Sequence, residues 1–179
     1  RGLQHNLAQG LTMAATYYSI LTNNGKALIA NATVNTKVGL SDIAVGDGNG
    51  AVPTPLETRT TLVNEKARFA CNRIAINANN SNWIEAEIII PTTSGGYTIR
   101  ELGLYAGATL VAVANFPSTY KPLETEGGAR EIAIKMVINV QNAEVISVTL
   151  DNSLIYATRD WVNTYYIPRT DIVDNLTTN

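Results

Sequence analysis

Residues 45 to 50 read VGDGNG, three glycines interleaved with an aspartate and an asparagine, directly after Leu40-Ser41-Asp42-Ile43-Ala44. Glycines with acceptor side chains between them can cradle a phosphate, wrap a calcium ion or turn a corner. A dinucleotide-binding turn has the spacing G-x-G-x-x-G and opens a helix. Here the spacing is G-x-G-x-G, and Ala51-Val52-Pro53-Thr54-Pro55 follows, which cannot open a helix cleanly. A phosphate-binding P-loop also needs Lys and Ser or Thr after its glycines, and both are missing. For calcium, Asp47 and Asn49 offer two oxygen ligands, but the next position of an EF-hand series is Ala51. The stronger reading is a glycine turn that leaves a strand and launches a Pro-bounded extended loop, with calcium binding at Asp47 and Asn49 left open.

Other catalytic inventories are thin. The single histidine, His5, lies in a leader-like segment, so a nucleophile activated by a histidine base is not expected. Cys71 is the only cysteine, which excludes an internal disulfide and a cysteine-rich metal cluster, and its expected state is a buried, inert thiol in a strand. Acid–base hydrolysis needs two carboxylates at a set spacing. Glu85 and Glu87 share one face of a strand, and Glu124 and Glu126 share a loop; the plainer readings are a solvated strand face and an acidic loop. No catalytic, cofactor-binding or metal-ligating residue is therefore assigned, and no enzyme activity is expected.

The elements that must position these residues are mostly strands. Ile132, Ile134, Met136, Ile138 and Val140 alternate with Glu131, Ala133, Lys135, Val137 and Asn139, a period of two with one buried face. Phe69–Asn77, Trp83–Ile90, Thr98–Ala106, Thr109–Asn115 and Glu144–Leu150 are strand-like too, with Trp83 expected in the core beside Ile84. Asn79-Asn80-Ser81-Asn82 reads as a hairpin loop, and Pro53, Pro55, Pro91, Pro117 and Pro122 fall at strand ends or in loops. Thr22 caps a short helix over Gly25–Ala30. Thr158, Asp160 and the i,i+4 pairs Trp161–Tyr165 and Val162–Tyr166 suggest a second helical stretch, interrupted by Pro168.

The fold class is mainly β, sandwich-like, with a short N-terminal helix and a C-terminal helical or extended linker. The expected organisation is a vector-derived leader at 1–12 ahead of Met13, one domain at 13–157, and a linker at 158–179. With 45% hydrophobic residues the chain can bury a core, and its net charge of −2 gives no footprint for nucleic acid. Its longest nearly apolar run, Leu110 to Ala114, is far too short to span a bilayer, and no signal peptide is visible.

Six segments carry a resemblance: AVGDGNG at 44–50, LVNE at 62–65, IRELGLYA at 99–106, STYKP at 118–122, EGGAR at 126–130 and LIYATRDWV at 154–162. In order and spacing they resemble the N-terminal tail-collar domain of contractile-tail bacteriophage fibres, and of R-type pyocin fibres. The leader does not match that pattern. The resemblance implies a structural virion protein that anchors a fibre to a baseplate connector protein, as a homotrimer in the intact fibre. A receptor-binding part would follow this chain, a fibre-assembly chaperone could serve it, and assembly would take place in the host cytoplasm. Tyr97, Arg100, Glu101, Tyr120, Lys121 and Pro122 are the candidate partner-binding residues, because Tyr and Arg favour interfaces. Trp161, Tyr165, Tyr166, Ile172 and Leu176 are the candidate trimer seam. The alternative is a carbohydrate-binding β module of a phage adhesin, with Trp83, Tyr97 or Tyr105 stacking on sugar rings.

Overall fold

The structure is a computed structural model and describes residues 16–150. It contains β1 (Ser19–Leu21), α1 (Asn23–Ala30), β2 (Asp42–Gly46), β3 (Glu65–Ala70), β4 (Arg73–Ile76), β5 (Trp83–Ile90), β6 (Tyr97–Ala106), β7 (Thr109–Lys121), β8 (Ile132–Asn139) and β9 (Thr149–Leu150). Two antiparallel sheets face each other, one ordered β1-β7-β6-β2-β3 and the other β8-β5-β4-β9. The expected mainly β sandwich with one short helix is the architecture found.

Alternation explains the packing. Ile84, Ala86, Ile88 and Ile90 of β5 face Ile134, Met136 and Ile138 of β8 along one inner surface. Ile43 and Val45 of β2, Leu102 and Leu104 of β6, and Ala112 and Ala114 of β7 line the opposing one. The run from β3 to β4 passes almost directly from one sheet to the other, and here the expected Phe69–Asn77 strand is corrected. It breaks at Cys71-Asn72, where the Cys71 amide donates to the carbonyl of Ser41, just ahead of β2 of the first sheet, and the Asn72 amide to Glu87 of the second. A strand that changes sheets at a corner does so through such a break. Cys71 thus sits at the corner rather than in a strand; burial pushes its thiol up to about 12, which leaves it unreactive.

Two further expectations need correction. Glu144–Leu150 is not one strand: Ala143–Val145 forms a 3-10 turn capped by the Asn142 side chain, Ile146 makes an isolated bridge to Val38, and only Thr149–Leu150 forms a strand, paired with Arg73 and Ile74. Trp83 is 42% exposed, because it opens β5 on the outer side of the sheet, whereas Ile84 points inward. The helix is as expected: Thr22 Oγ1 accepts the Gly25 N–H at 2.9 Å and also donates to the Leu110 carbonyl at 2.6 Å. One buried hydroxyl therefore caps α1 and ties it to β7.

Outside the sandwich, Glu85 and Glu87 lie on the solvent side of β5, flanked by Arg73 of β4 and Lys135 of β8. Asn77 donates to Glu85 Oε1 at 2.6 Å, and Lys135 and Arg73 reach Oε2 at 3.1 and 3.2 Å. Those three contacts, in that order, hold the Glu85 carboxyl down to about 2. The pair is a charge ladder across three strands rather than an acid–base couple.

Two outcomes are expected in denaturant titrations. Thr22→Ala, which removes the cap and strands the Leu110 carbonyl, should lower stability by about 1–2 kcal/mol. A carboxylate with a depressed folded-state value supplies stability above its unfolded value and loses it as the pH falls through the folded one. Stability should therefore decline between the ordinary 4.5 and about 2 for Glu85, and Glu85→Gln should flatten the curve in that window.

Candidate functional site

Antiparallel pairing brings the C-terminal ends of β2, β5 and β7 and the N-terminal ends of β3, β6 and β8 to one end of the sandwich. Three of the six segments singled out in the sequence, AVGDGNG, LVNE and EGGAR, reach into the loops there; STYKP closes β7 at the same end, and IRELGLYA lies in β6, which starts there. The sixth, 154–162, lies outside the described residues, as do the leader 1–12 and the seam candidates Trp161, Tyr165, Tyr166, Ile172 and Leu176.

At the centre is Glu101, only 2% exposed. It lies on the outer face of the first sheet, beneath the loop that runs from β2 to β3. Its Oε1 accepts the N–H groups of Asn64 at 2.8 Å and Gly48 at 3.3 Å, and its Oε2 accepts that of Val63 at 2.9 Å. Three backbone donors satisfy a buried carboxylate, which otherwise costs several kcal/mol to desolvate. Gly46 lies against it: a Cβ there would come within 2.5 Å of Oε1 and 2.6 Å of the Asn64 carbonyl oxygen. Beside this anchor, Leu62 plugs a second apolar cluster with Ala44, Tyr105, Leu110 and Val113, and the Arg68 guanidinium stacks 3.7 Å over the Tyr105 ring.

The VGDGNG question now has a geometric answer. Asp47 Oδ1 accepts the Asn49 N–H at 2.9 Å and the Asn64 Nδ2 at 2.7 Å, while Oδ2 pairs with Lys66 at 3.0 Å. Gly48, Asn49 and Gly50 have φ of 59°, 55° and 92°, so the segment is a tight left-handed turn capped by Asp47. Burial works to raise the Asp47 carboxyl, but the bonds from Lys66, Asn64 and Asn49 outweigh it and lower the value. Its oxygens serve the turn itself, and among the described residues no three His, Cys, Asp or Glu side chains gather as a metal group.

The six partner-binding candidates divide by exposure. Lys121 is fully buried, its Nζ donating to the Pro122 carbonyl at 3.2 Å, and its own carbonyl accepts the Gly96 N–H at 2.7 Å. With Glu101 it shapes the loops from beneath. Tyr97 is half-buried and shares a hydrogen bond with Ser94 at 2.8 Å, and Pro122 is half-buried beside it. Tyr120 is 51% exposed, and its hydroxyl donates to both Glu126 oxygens at 2.9 and 2.8 Å. The Glu126 bond raises the Tyr120 phenol, while the Leu123 N–H first and Tyr120 second lower Glu126. Arg100 is half-buried and reaches the Asp47 carbonyl and the Ser118 hydroxyl, each at 3.2 Å. Sequence reasoning missed Asn64, Val63 and Ser118 as members of this network, since the first two reach Glu101 through backbone N–H groups and the third offers a short hydroxyl, which leave no pattern. The one available signal was Glu101, a charge inside the apolar run Ile99–Ala106.

A family model described as phage tail-collar fibre protein, N-terminal, matches residues 13–160. The chain belongs to this tail-collar fibre family. A probable tail fiber protein of Escherichia phage P2 is 42% identical over 154 residues, covering 84% of this chain and 23% of that protein. The tail-collar chain thus spans under a quarter of the length of the curated relative it matches. No solved structure matches it. The family is one of structural tail-fibre proteins, components of the phage virion. Among the described residues no helix is long and apolar enough to cross a membrane.

The Glu101 anchor is open to test. Glu101→Gln leaves the shape but places an amide NH2 among N–H donors, and should cost about 2–3 kcal/mol. Hydrogen exchange at the Val63 and Asn64 amides should accelerate more than in β5. Unchanged protection at those two amides would mean that the loop is held by Leu62 alone.

Proposed function

We propose that this tail-collar domain is the attachment module of a tail fibre, docking on a protein of the tail baseplate through its loop-bearing end. The observation that supports it most is the convergence of segments spread from 44 to 130 onto that one end. Loops carrying recognition on a rigid sandwich are the common arrangement for binding. There the exposed Tyr120 and Val52 and the half-buried Arg100, Tyr97 and Pro122 offer the aromatic, apolar and guanidinium groups that anchor protein interfaces. Glu101 and Lys121 hold the surface in shape from below. The role is structural rather than catalytic: the carboxylates described above are spent on turns, loops and the strand ladder.

In the intact fibre the chain is a homotrimer, with Trp161, Tyr165, Tyr166, Ile172 and Leu176 along the three-fold seam. The remainder of the fibre carries the receptor-binding part, and a chaperone assists its assembly in the host cytoplasm.

The test uses this chain and tails purified from a phage that lacks its fibre. The chain should bind those tails saturably and block the later incorporation of complete fibres in proportion to occupancy. Fibres that incorporate at full rate in the presence of excess chain would refute attachment through this domain.

A further inference from the structure

At the loop-bearing end, β6 and β7 slip against each other. Ile99 pairs with Thr119, but Glu101 pairs with Asn115, so Arg100 alone stands opposite the three residues Phe116, Pro117 and Ser118. Such irregularities bend a strand and re-aim a side chain, and they concentrate beside functional sites. The side chain re-aimed here is that of Arg100.

Its guanidinium is held but not neutralised. Nε donates to Ser118 Oγ and Nη1 to the Asp47 carbonyl, both at 3.2 Å, and both acceptors are uncharged. Among the described residues Lys26, Lys66, Arg68, Arg73 and Lys135 each lie within ion-pair distance of a carboxylate, whereas Arg100, like Lys37, Arg59, Lys121 and Arg130, does not. The nearby Asp47 carboxylate is committed to Lys66, Asn64 and Asn49, so only its backbone oxygen reaches Arg100. A guanidinium has five N–H donors. The two contacts leave Nη2 and one N–H of Nη1 without a described acceptor. A planar fork fixed at two corners and open at the others fits a carboxylate with two parallel hydrogen bonds.

We propose that Arg100 is a preset carboxylate clamp, taking an Asp or Glu side chain of the tail protein on which this domain docks. The inference rests on the docking reading above and adds the chemistry of the partner's contact point. A protein carboxylate fits because Tyr120 and Val52, 51% and 38% exposed, share this end with the guanidinium, a mixture suited to a protein surface. Ser118 and the Asp47 carbonyl fix the fork beforehand, so little side-chain freedom is lost when the partner arrives. The turn at Gly48–Gly50, and the Glu101 anchor beneath it, serve to place the Asp47 carbonyl for this contact.

The experiment measures binding of the chain to purified fibreless tails, with folding of each variant checked by its melting curve. Arg100→Gln places an amide donor near the Nε position, within reach of Ser118, but removes the charge and the fork that reaches the Asp47 carbonyl; it should weaken binding about thirtyfold and reduce its salt dependence. Arg100→Lys should recover only part, because the fork is lost, and Ser118→Ala should cost a few-fold with the charge intact. In the phage, Arg100→Glu should block fibre incorporation and yield suppressors that exchange an Asp or Glu of a tail protein for Lys or Arg. Native affinity in a folded Arg100→Gln variant, with binding lost in Tyr120→Ala, would overturn the clamp and leave docking at this end intact. Failure of the unaltered chain to bind fibreless tails would overturn both. Suppressors that replace no acidic residue would overturn the carboxylate as the partner group.

Discussion

The Glu101 carboxylate accepts three backbone N–H groups from two loop segments, Gly48 on one side and Val63 with Asn64 on the other. A hydrogen bond to a charged acceptor is worth about 1.5–3 kcal/mol, and a buried carboxylate deprived of its donors costs at least as much. That asymmetry makes the three bonds an all-or-none commitment. Once they form, the loop between β2 and β3 lies across the outer face of the first sheet, Leu62 seals the cluster around Tyr105, and Asp47 is delivered to Lys66 and Asn64. The order of the loop-bearing end is therefore electrostatic at its centre and apolar at its margin.

The two sheets solve the problem of an outer face in different ways. On the first, apolar outward residues such as Val113 and Leu110 are covered by the chain's own loop. The second leaves its outer face to solvent and fills it with Glu85, Glu87, Arg73 and Lys135, whose charges balance across neighbouring strands. Cross-strand pairs of opposite charge support the ladder without requiring burial. Lys135 adds an edge charge on β8, which discourages pairing with another chain's strand.

Periodicity made much of this legible. The alternation in Ile132–Asn139 and Trp83–Ile90 marks both strands and their inner faces, since burial on one side imposes a period of two. Thr22 reads correctly as a cap because its chemistry is local. What depends on distant chain was not legible. The corner at Cys71-Asn72 is set by Ser41 and Glu87, and Glu101 is buried only because a loop from elsewhere in the chain folds over it. Trp83 misled because its neighbour Ile84 is buried, and strand neighbours point to opposite faces. At the loop-bearing end, order and spacing carried the family likeness, but not which residues face solvent.

The corner at Cys71-Asn72 also has a mechanical meaning. Its amides bond one to each sheet, so the two layers share a single run of covalent chain at that edge, while Ser19 Oγ bonds the Val137 carbonyl of β8 at the other. Layers stitched at both margins resist sliding past each other, and strain applied at one end reaches the whole sandwich. A body of this kind is stiff: a load applied at one end would tilt it as one piece before any strand yields.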